Sequence, residues 1–287
     1  MSESSQFEAG ASKNRDRLSY GFRVSLQTYS IREALRANLD ETLERISEEF
    51  DSVELAGTAR RPIAEFHEAL VRHNIAAIGS HVCTLGSPFL DDSLAEIKAF
   101  LAEVPTIESL VFLPHPTDYV DLRTGRRNHR DIYTEYAGKL NRIAEAIDGR
   151  TILQYHAYDV DLKKATHLYV GEESDASGVD IILELTEERQ VKLQLDTYFV
   201  ALADLSIGDT LDHYRPRLGT VHVNEMSPER HQVAIGTYWK NWNDILDKLH
   251  ECGVRDLVLE HDVDSEFGVF DELLKSLAHI RSIGVKA

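Results

Sequence analysis

Val191-Lys192-Leu193-Gln194-Leu195-Asp196-Thr197 is a short, mostly apolar run that ends in a carboxylate. Its composition favours a buried strand, although periodicity alone does not distinguish a strand from a buried helix segment. Burying a carboxylate without a partner costs free energy, so Asp196 predicts a partner at the strand end. Three other apolar runs end in comparable groups, at His156, His222 and Glu260. Two histidines and two acids, each closing its own strand, have the composition of a metal site.

Strand-like and helix-like patterns alternate along the chain from Arg23, and no Pro/Gly-rich linker divides them. This alternation predicts a parallel sheet with right-handed crossovers. Eight units in 287 residues favour an α/β fold with a single closed (β/α)8 TIM barrel over an open doubly wound sheet, since no strand precedes a Gly-rich phosphate fingerprint. The strands are predicted at 23–28, 51–56, 75–82, 109–114, 151–156, 191–197, 218 to about 225, and 256 to about 261.

Apolar residues at helical spacing predict helices over 40–50, 62–71, 94–101, 132–147, 179–185, 241–249 and 270–283. Three longer loops, 115–128, 157–177 and 226–239, leave the carboxyl ends of the strands, where they would cover a substrate. We expect residues 1–20 to be a flexible N-terminal tail and residues 21–287 to form the barrel.

The chain carries 49 acidic and 31 basic side chains, a formal net charge of -18. This charge repels nucleic acid phosphates and anionic membranes, so neither is an expected partner. Arg60-Arg61 and Arg126-Arg127 are short basic doublets. Each is either a solvated loop or a place to hold a phosphate or carboxylate of a small substrate.

Cys83 and Cys252 form neither a disulfide framework nor a zinc-binding spacing. No apolar segment approaches the roughly 20 residues that a membrane helix needs, and the N-terminus has no apolar signal region. We therefore expect a cytoplasmic protein, which could form a homo-oligomer.

The predicted carboxyl ends of the strands are rich in histidine and carboxylate, and active sites of TIM barrels lie at this face. We expect Glu54 to be either a catalytic acid or a structural carboxylate bonded to a neighbouring strand. His81 and His115 would line the pocket or bind metal, and Asp262 would assist or replace Glu260. The substrate-binding residues predicted from this face are Gln27, His81, His115, Tyr158, Asp159, Glu225 and Asp262.

His156, Asp196, His222 and Glu260 have two interpretations. One is a buried hydrogen-bonded network without metal. The other is a site for one divalent ion, because acids and histidines brought close together shift each other's pKa unless a cation separates them. Mixed nitrogen and oxygen ligands suit Zn, Mn, Fe or Co.

Several motifs resemble those of the xylose isomerase-like TIM barrel superfamily, in its sugar phosphate isomerase/epimerase family. The resemblance extends over nearly the whole chain from Arg23. The motifs that carry it are Leu26-Gln27-Thr28-Tyr29-Ser30, Val53-Glu54-Leu55, Gly79-Ser80-His81-Val82, Tyr155-His156, Leu193-Gln194-Leu195-Asp196-Thr197, His222-Val223-Asn224-Glu225-Met226, Ile235-Gly236-Thr237 followed by Trp242, and Leu259-Glu260-His261-Asp262.

The resemblance implies one divalent metal at the barrel mouth, held by residues that match His156, Asp196, His222 and Glu260. It also implies an enzyme of sugars, sugar phosphates or polyols that removes a proton beside a metal-polarised carbonyl. Family epimerases typically have Glu on the fifth strand, where this chain has His156. We therefore expect Glu260 to be the base, with Glu54 or Asp159 as a second acid.

An isomerase or epimerase is the function that we expect first. A metal-dependent lyase or dehydratase acting on a keto-inositol or 3-keto-sugar is the alternative that needs only one base. An abasic-site nuclease on the same barrel would need a basic DNA track, which the net charge opposes. A non-catalytic sugar-binding barrel would bind ligand without metal-dependent turnover.

Overall fold

The computed structural model describes residues 20–85, 91–124, 127–147, 149, 151–164, 176–261 and 268–283. Eight parallel strands form a closed barrel, in the order β1-β10-β7-β6-β5-β4-β3-β2, and a hairpin of β8 and β9 lies outside it. The predicted single (β/α)8 barrel is therefore confirmed. The strands are β1 Arg23–Gln27, β2 Ser52–Ala56, β3 Ala76–Thr84, β4 Ser109–Leu113, β5 Ile152–His156, β6 Val191–Asp196, β7 Leu218–Val223, β8 Glu225–Met226, β9 Gln232–Val233 and β10 Asp256–Leu259.

Helices follow the barrel strands and bury their apolar faces against the sheet, so the hydrophobic core lies between the two layers. The helices are α1 Arg32–Ala37, α2 Leu39–Ser47, α3 Ile63–Arg72, α4 Asp91–Glu103, α5 Pro116–Thr124, α6 His129–Ala146, α7 Asp159–Leu162, α8 Gly178–Glu184, α9 Thr197–Leu202, α10 Ile207–Tyr214, α11 Trp242–Glu251 and α12 Val269–Ile283. None of the helices described is long and apolar enough to cross a membrane.

Local side chains start several of these helices. Asn38, Asn128 and Ser177 each precede a helix and accept a hydrogen bond from the backbone N–H three residues later. Such caps satisfy N–H groups that have no partner inside the helix. Ser177 also receives the return bond of a capping box, because Asp180 accepts from the Ser177 N–H at 2.9 Å.

All three of the predicted long loops contain regular structure. Helix α5 occupies most of 115–128, and the hairpin β8–β9 overlaps 226–239. Helix α5 was missed because its residues show no apolar period; its start is stabilised by His115, whose Nδ1 lies 3.2 Å from the Thr117 backbone nitrogen. The third loop begins with α7, and its residues 165–175 lie outside the described residues, as do residues 1–19 of the predicted tail.

The inside of the barrel is polar along several strands, whereas TIM barrels usually fill this space with branched aliphatic side chains. On β1 and β2, the hydroxyls of Ser25 and Ser52 lie 2.6 Å apart. The inward-facing residues two positions further along each strand are also polar, because side chains alternate with a period of two. These buried residues are Ser25, Gln27, Ser52, Glu54, Gln154, His156, Gln194, Asp196, Thr220 and His222.

A glycine makes room for this polar filling. A Cβ at Gly219 on β7 would lie 2.0 Å from Oε1 of Gln154. That oxygen accepts a hydrogen bond from the Thr220 backbone N–H at 2.7 Å, so it cannot move away without losing the bond. The β6–β7 register also shifts at this point, between Leu193 and Leu195.

Candidate metal centre

Two groups of possible metal-binding side chains lie at the carboxyl ends of the strands. Asp196, His222 and Glu260 form one group, and His81, His156 and His222 form the other. Within each group the ligand atoms lie within 4.8 Å of one another. The structure therefore brings all four predicted metal ligands together, but as two overlapping groups that share His222.

His222 is fully buried and its two ring nitrogens face two different carboxylates. Nδ1 lies 2.8 Å from Oε2 of Glu260, and Nε2 lies 2.7 Å from Oε1 of Glu54. Burial disfavours the imidazolium, but Glu54 and Glu260 outweigh it and hold the pKa of His222 well above its ordinary value.

Asp196 ends β6 and is held by two donors. Its Oδ1 accepts from the Tyr198 backbone N–H at 2.7 Å, and its Oδ2 accepts from Nδ2 of Asn224 at 2.9 Å. Burial raises the pKa of Asp196 to about 7, with His222 opposing this shift and the charge of Glu260 adding to it. Oδ1 of Asn224 is buried and has no hydrogen-bond partner among the described residues.

Gln194 lies two residues before Asp196 and bonds four groups. Its Oε1 accepts from Nδ1 of His156 at 2.8 Å and lies 3.1 Å from Nε2 of His81. Its Nε2 donates to Oε2 of Glu54 and to Oγ1 of Thr220. The amide orientation is thus determined by two acceptors on one side and two ring nitrogens on the other.

This arrangement determines the tautomer of His156. Because Nδ1 donates to Gln194, Nε2 carries the lone pair that a metal would use. Burial, together with the neighbouring His222 and His81, lowers the pKa of His156 to about 3. His156 is therefore neutral, which is the form that binds metals.

Glu54 is fully buried beneath the two groups, and both of its oxygens are occupied. Oε1 accepts from Gln27 at 2.6 Å and lies 2.7 Å from His222 and 3.0 Å from His81, while Oε2 accepts from Gln194. Burial opposes ionisation, but His222 and His81 outweigh it and hold the pKa of Glu54 well below its ordinary value. A carboxylate with this many donors orients its neighbours and has no oxygen free for a substrate proton.

Three of the predicted substrate-binding residues contact the candidate metal ligands or Glu54. Gln27 is buried, with its amide used by Glu54 and by the Tyr29 N–H. His81 stacks on His222 with ring centroids 5.7 Å apart. Tyr158 packs edge-on against His156, with ring centroids 5.4 Å apart, and against Phe199.

Asp159 and His115 belong to neither metal group. Asp159 begins α7, and its Oδ2 lies 3.7 Å from Nζ of Lys163. His115 contacts Thr117 through Nδ1, and its backbone N–H donates to the Tyr136 hydroxyl at 3.0 Å. Asp262 lies outside the described residues.

Glu225 does not present a free carboxylate at the mouth. Its Oε1 accepts from the backbone N–H groups of Tyr238 and Trp239, and its Oε2 accepts from Gly236 N–H and the Trp242 indole. Glu225 is fully buried, and its four hydrogen bonds fix segment 236–242. Its contact with substrate stays a prediction.

Sequence reasoning missed Gln194, Thr220 and the amide of Asn224 as parts of the site. A signal for the first two was present, since each stands two residues before a predicted ligand and thus on the same face of its strand. The candidate metal ligands themselves lie at the strand ends. The bonds that orient those ligands come from one layer deeper in the barrel.

The donor set fits a divalent cation. It offers two carboxylates and three imidazoles in a buried place, where the charge of Glu260 raises the pKa of Asp196 and a cation would offset the two acids. A mixture of imidazole and carboxylate suits Zn, Mn, Fe or Co.

No family model matches the sequence, and no curated protein matches it either. Solved structures do match. A sugar phosphate isomerase/epimerase from Parabacteroides distasonis superposes with a TM-score of 0.72 and 18% identity, over 93% of this chain and 96% of that one. A 3-keto-D-glucoside 4-epimerase from E. coli gives a TM-score of 0.67 and 17% identity, over 91% and 99%.

The protein IolI, whose structure contains a zinc atom, gives a TM-score of 0.63 and 12% identity over 91% of this chain and 97% of that one. Identities this low show a common fold. The structures that share the fold include sugar phosphate isomerases and epimerases, so the predicted resemblance is confirmed at the level of the barrel.

Proposed function

We propose that this chain is a divalent-metal-dependent isomerase or epimerase of a sugar or polyol, which removes and returns a proton beside a carbonyl. The observation that carries the proposal is the grouping of Asp196, His222 and Glu260 within 4.8 Å at the barrel mouth. Sugar isomerases and epimerases among the similar structures support the substrate class.

Asp196, His222 and Glu260 would hold the ion, with His156 contributing through Nε2. When bound, such an ion polarises a carbonyl and a neighbouring hydroxyl of the substrate, which makes the adjacent C–H more acidic. The similar protein IolI was solved with zinc, which supports a metal in this kind of barrel.

Glu260 is the residue that we assign to proton transfer. Its Oε2 contacts His222, whereas Oε1 accepts no hydrogen bond from the part of the chain that the structure describes. Burial would raise the pKa of Glu260, but His222 outweighs burial and lowers it, so the carboxylate is ionised and able to accept a proton.

Glu54 takes a positioning role in this proposal, in place of the catalytic role expected from the sequence. A carboxylate that accepts from the outer nitrogen of a metal-binding histidine fixes the orientation of the ring and strengthens it as a ligand. Glu54 stands in that relation to His222. The edge-to-face pair of Tyr158 and Phe199 beside His156 supplies an apolar wall on which the C–H face of a sugar can pack.

The test is metal analysis of protein purified without added metal and then incubated with Mn, Zn, Fe or Co. We expect about one ion per chain, as in catalytic sites of this ligand type. D196A and H222A should lose it, whereas H213A, which removes an exposed histidine paired with Asp180, should retain it. A wild-type chain that binds none of these ions would overturn the proposal and leave a hydrogen-bonded binding pocket.

A lyase or dehydratase on a keto-inositol or 3-keto-sugar is the second candidate. It is favoured by the fifth strand, which places neutral His156 where a second acid would be needed for proton return. Incubation of candidate keto-sugars in deuterated water separates the two. Deuterium in an isomerised or epimerised product supports the first function, and loss of water or of an alcohol supports the second.

A further inference from the structure

A cavity of about 180 Å³ lies at the carboxyl ends of β1 and β2, on the face of the barrel that also carries the candidate metal centre. Thr28 and Ala56 contribute to its lining, one and two residues beyond Gln27 and Glu54. Gln27 and Glu54 are themselves hydrogen-bonded at 2.6 Å, and neither of them lines the cavity.

Three arginines, Arg32, Arg36 and Arg60, line this cavity, and no carboxylate does. Arg36 is paired with Glu33 outside it. Among the described residues no carboxylate pairs with Arg32 or Arg60. Two uncompensated cations facing one small cavity are unusual in a chain whose net charge is -18.

Two contacts with Tyr29 fix the position of the Arg32 side chain. Its guanidinium lies 3.9 Å from the centroid of the Tyr29 ring, and its Nη1 donates to the Tyr29 carbonyl at 2.7 Å. A guanidinium stacked on a ring loses less freedom on binding and keeps its outer N–H groups for a planar or tetrahedral oxyanion.

The loop that carries Arg60 is strained. Gly57, Ala59 and Arg60 all have positive φ, of 80°, 52° and 66°. For Ala and Arg this conformation is sterically unfavourable, because Cβ comes too close to the carbonyl oxygen. Strain of this kind persists where the surrounding structure enforces it and clusters at ligand clamps. Here it turns Arg60 towards the cavity, while the next residue, Arg61, pairs with Glu65 outside it.

We propose that this cavity is an oxyanion site, in which Arg32 and Arg60 bind a phosphate or carboxylate group. Its volume is below the roughly 300–1,000 Å³ of pockets for whole drug-sized ligands, so it accommodates one group of a larger molecule. Since it opens at the same mouth as the candidate metal centre, the substrate class becomes a sugar phosphate or sugar acid; this last step rests on the proposed function.

Calorimetric titration of the purified chain with inorganic phosphate at low salt tests the site. We expect saturable binding that weakens about tenfold or more in R32Q and in R60Q, because each removes a charge-assisted hydrogen bond. R61Q, which leaves the cavity lining intact, should bind as the wild type does. Equal binding by R60Q and wild type, or no saturable binding, would overturn the site.

D196A separates this inference from the proposed function. Phosphate binding that survives D196A belongs to the arginines, and it stands even if the chain binds no metal. Phosphate binding that disappears in D196A but persists in R60Q belongs to the metal group and overturns the oxyanion site. Titration with malonate, a carboxylate, distinguishes the two kinds of ligand. Binding of phosphate alone predicts a sugar phosphate as substrate. Binding of both anions is compatible with a sugar phosphate and with a sugar acid.

Discussion

Gln194 on β6 donates an amide hydrogen to Glu54 on β2 at 2.6 Å, and these two strands form opposite walls of the barrel. The same amide orients His156 through its carbonyl oxygen, while Glu54 orients His222. The residues that orient two candidate metal ligands on different strands are therefore joined by one hydrogen bond across the interior.

Replacing Gln194 by Met should weaken metal binding. Methionine has a similar volume but cannot bond Glu54, Thr220 or the two histidines, so the ligand rings lose their orientation. Loss of such outer contacts typically costs about 10–100-fold in metal affinity, which competition with a chelator measures. Q190M, which changes a half-exposed glutamine before the same strand, serves as the control. Unchanged affinity in a folded Q194M would show that the histidines need no such orientation.

Glu225→Gln should loosen the segment that carries both tryptophans. The chain has two Trp residues; Trp239 and Trp242 stack with ring centroids 5.6 Å apart, and Glu225 accepts a hydrogen bond from each. An amide nitrogen in place of one oxygen leaves N–H donors unpaired, at a cost of about 1–3 kcal/mol each. We expect a red-shifted tryptophan emission and a lower unfolding midpoint in urea.

E229Q, in the exposed turn of the adjacent hairpin, should change neither observable. If E225Q kept the wild-type emission and stability but lost turnover, Glu225 would contact the substrate as first expected from the sequence.

The contribution of Asp161 to the free energy of unfolding should decrease as the pH rises towards neutrality. It is buried among tyrosines, and burial raises its pKa to about 6, against the hydrogen bonds of Tyr133 and Tyr119 that lower it. The folded chain therefore holds this proton more tightly than the unfolded chain, whose pKa is near 3.8. The stabilisation is complete below that value and is lost as the pH passes 6, by about 3 kcal/mol.

The measurement compares wild type and D161N by urea unfolding at several pH values, because the variant lacks this titration but keeps the others. The unfolding free energy of the wild type minus that of D161N should decrease between pH 4 and pH 7. A difference that is constant over this range would contradict the prediction.

Two glycines should respond to alanine in opposite directions. A Cβ at Gly178 would lie 2.2 Å from Cζ of the buried Tyr133, so G178A forces the ring or the helix to move, at a cost of about 1–3 kcal/mol. A Cβ at Gly138 meets nothing within 4 Å on an exposed face of α6, so G138A should stabilise by about 0.5–1 kcal/mol. Thermal unfolding of both variants tests this, and a stable G178A would contradict the packing at Tyr133.

The fold followed from the sequence because each barrel strand is an apolar run with a recognisable end. The bounds of β5 and β6 were predicted to within a residue. Helix α5 was not found, since its residues, from Pro116 to Thr124, lack an apolar stripe and its start depends on a histidine rather than on a usual cap.

The candidate ligands were found for a similar reason: a charged group at the end of an apolar strand is conspicuous. What the sequence did not distinguish is the neighbourhood of each group. Glu54, Glu225 and Glu260 all look like mouth carboxylates, yet two of them are fully bonded inside the protein and one retains a free oxygen. Glu54 bonds residues that lie 140 or more positions further along the chain, and such partners leave no local pattern in the sequence.

The closure of the barrel has a kinetic consequence. Arg23 on β1 lies in register with Asp256 on β10, so the first and last strands must meet before the ring is complete. The bond between Glu54 and Gln194 joins residues 140 positions apart, and loop closure over such distances is slow. A cation held by these walls would have no binding place in a half-formed barrel. It would leave the rate of folding nearly unchanged and lengthen the lifetime of the folded chain by slowing its opening.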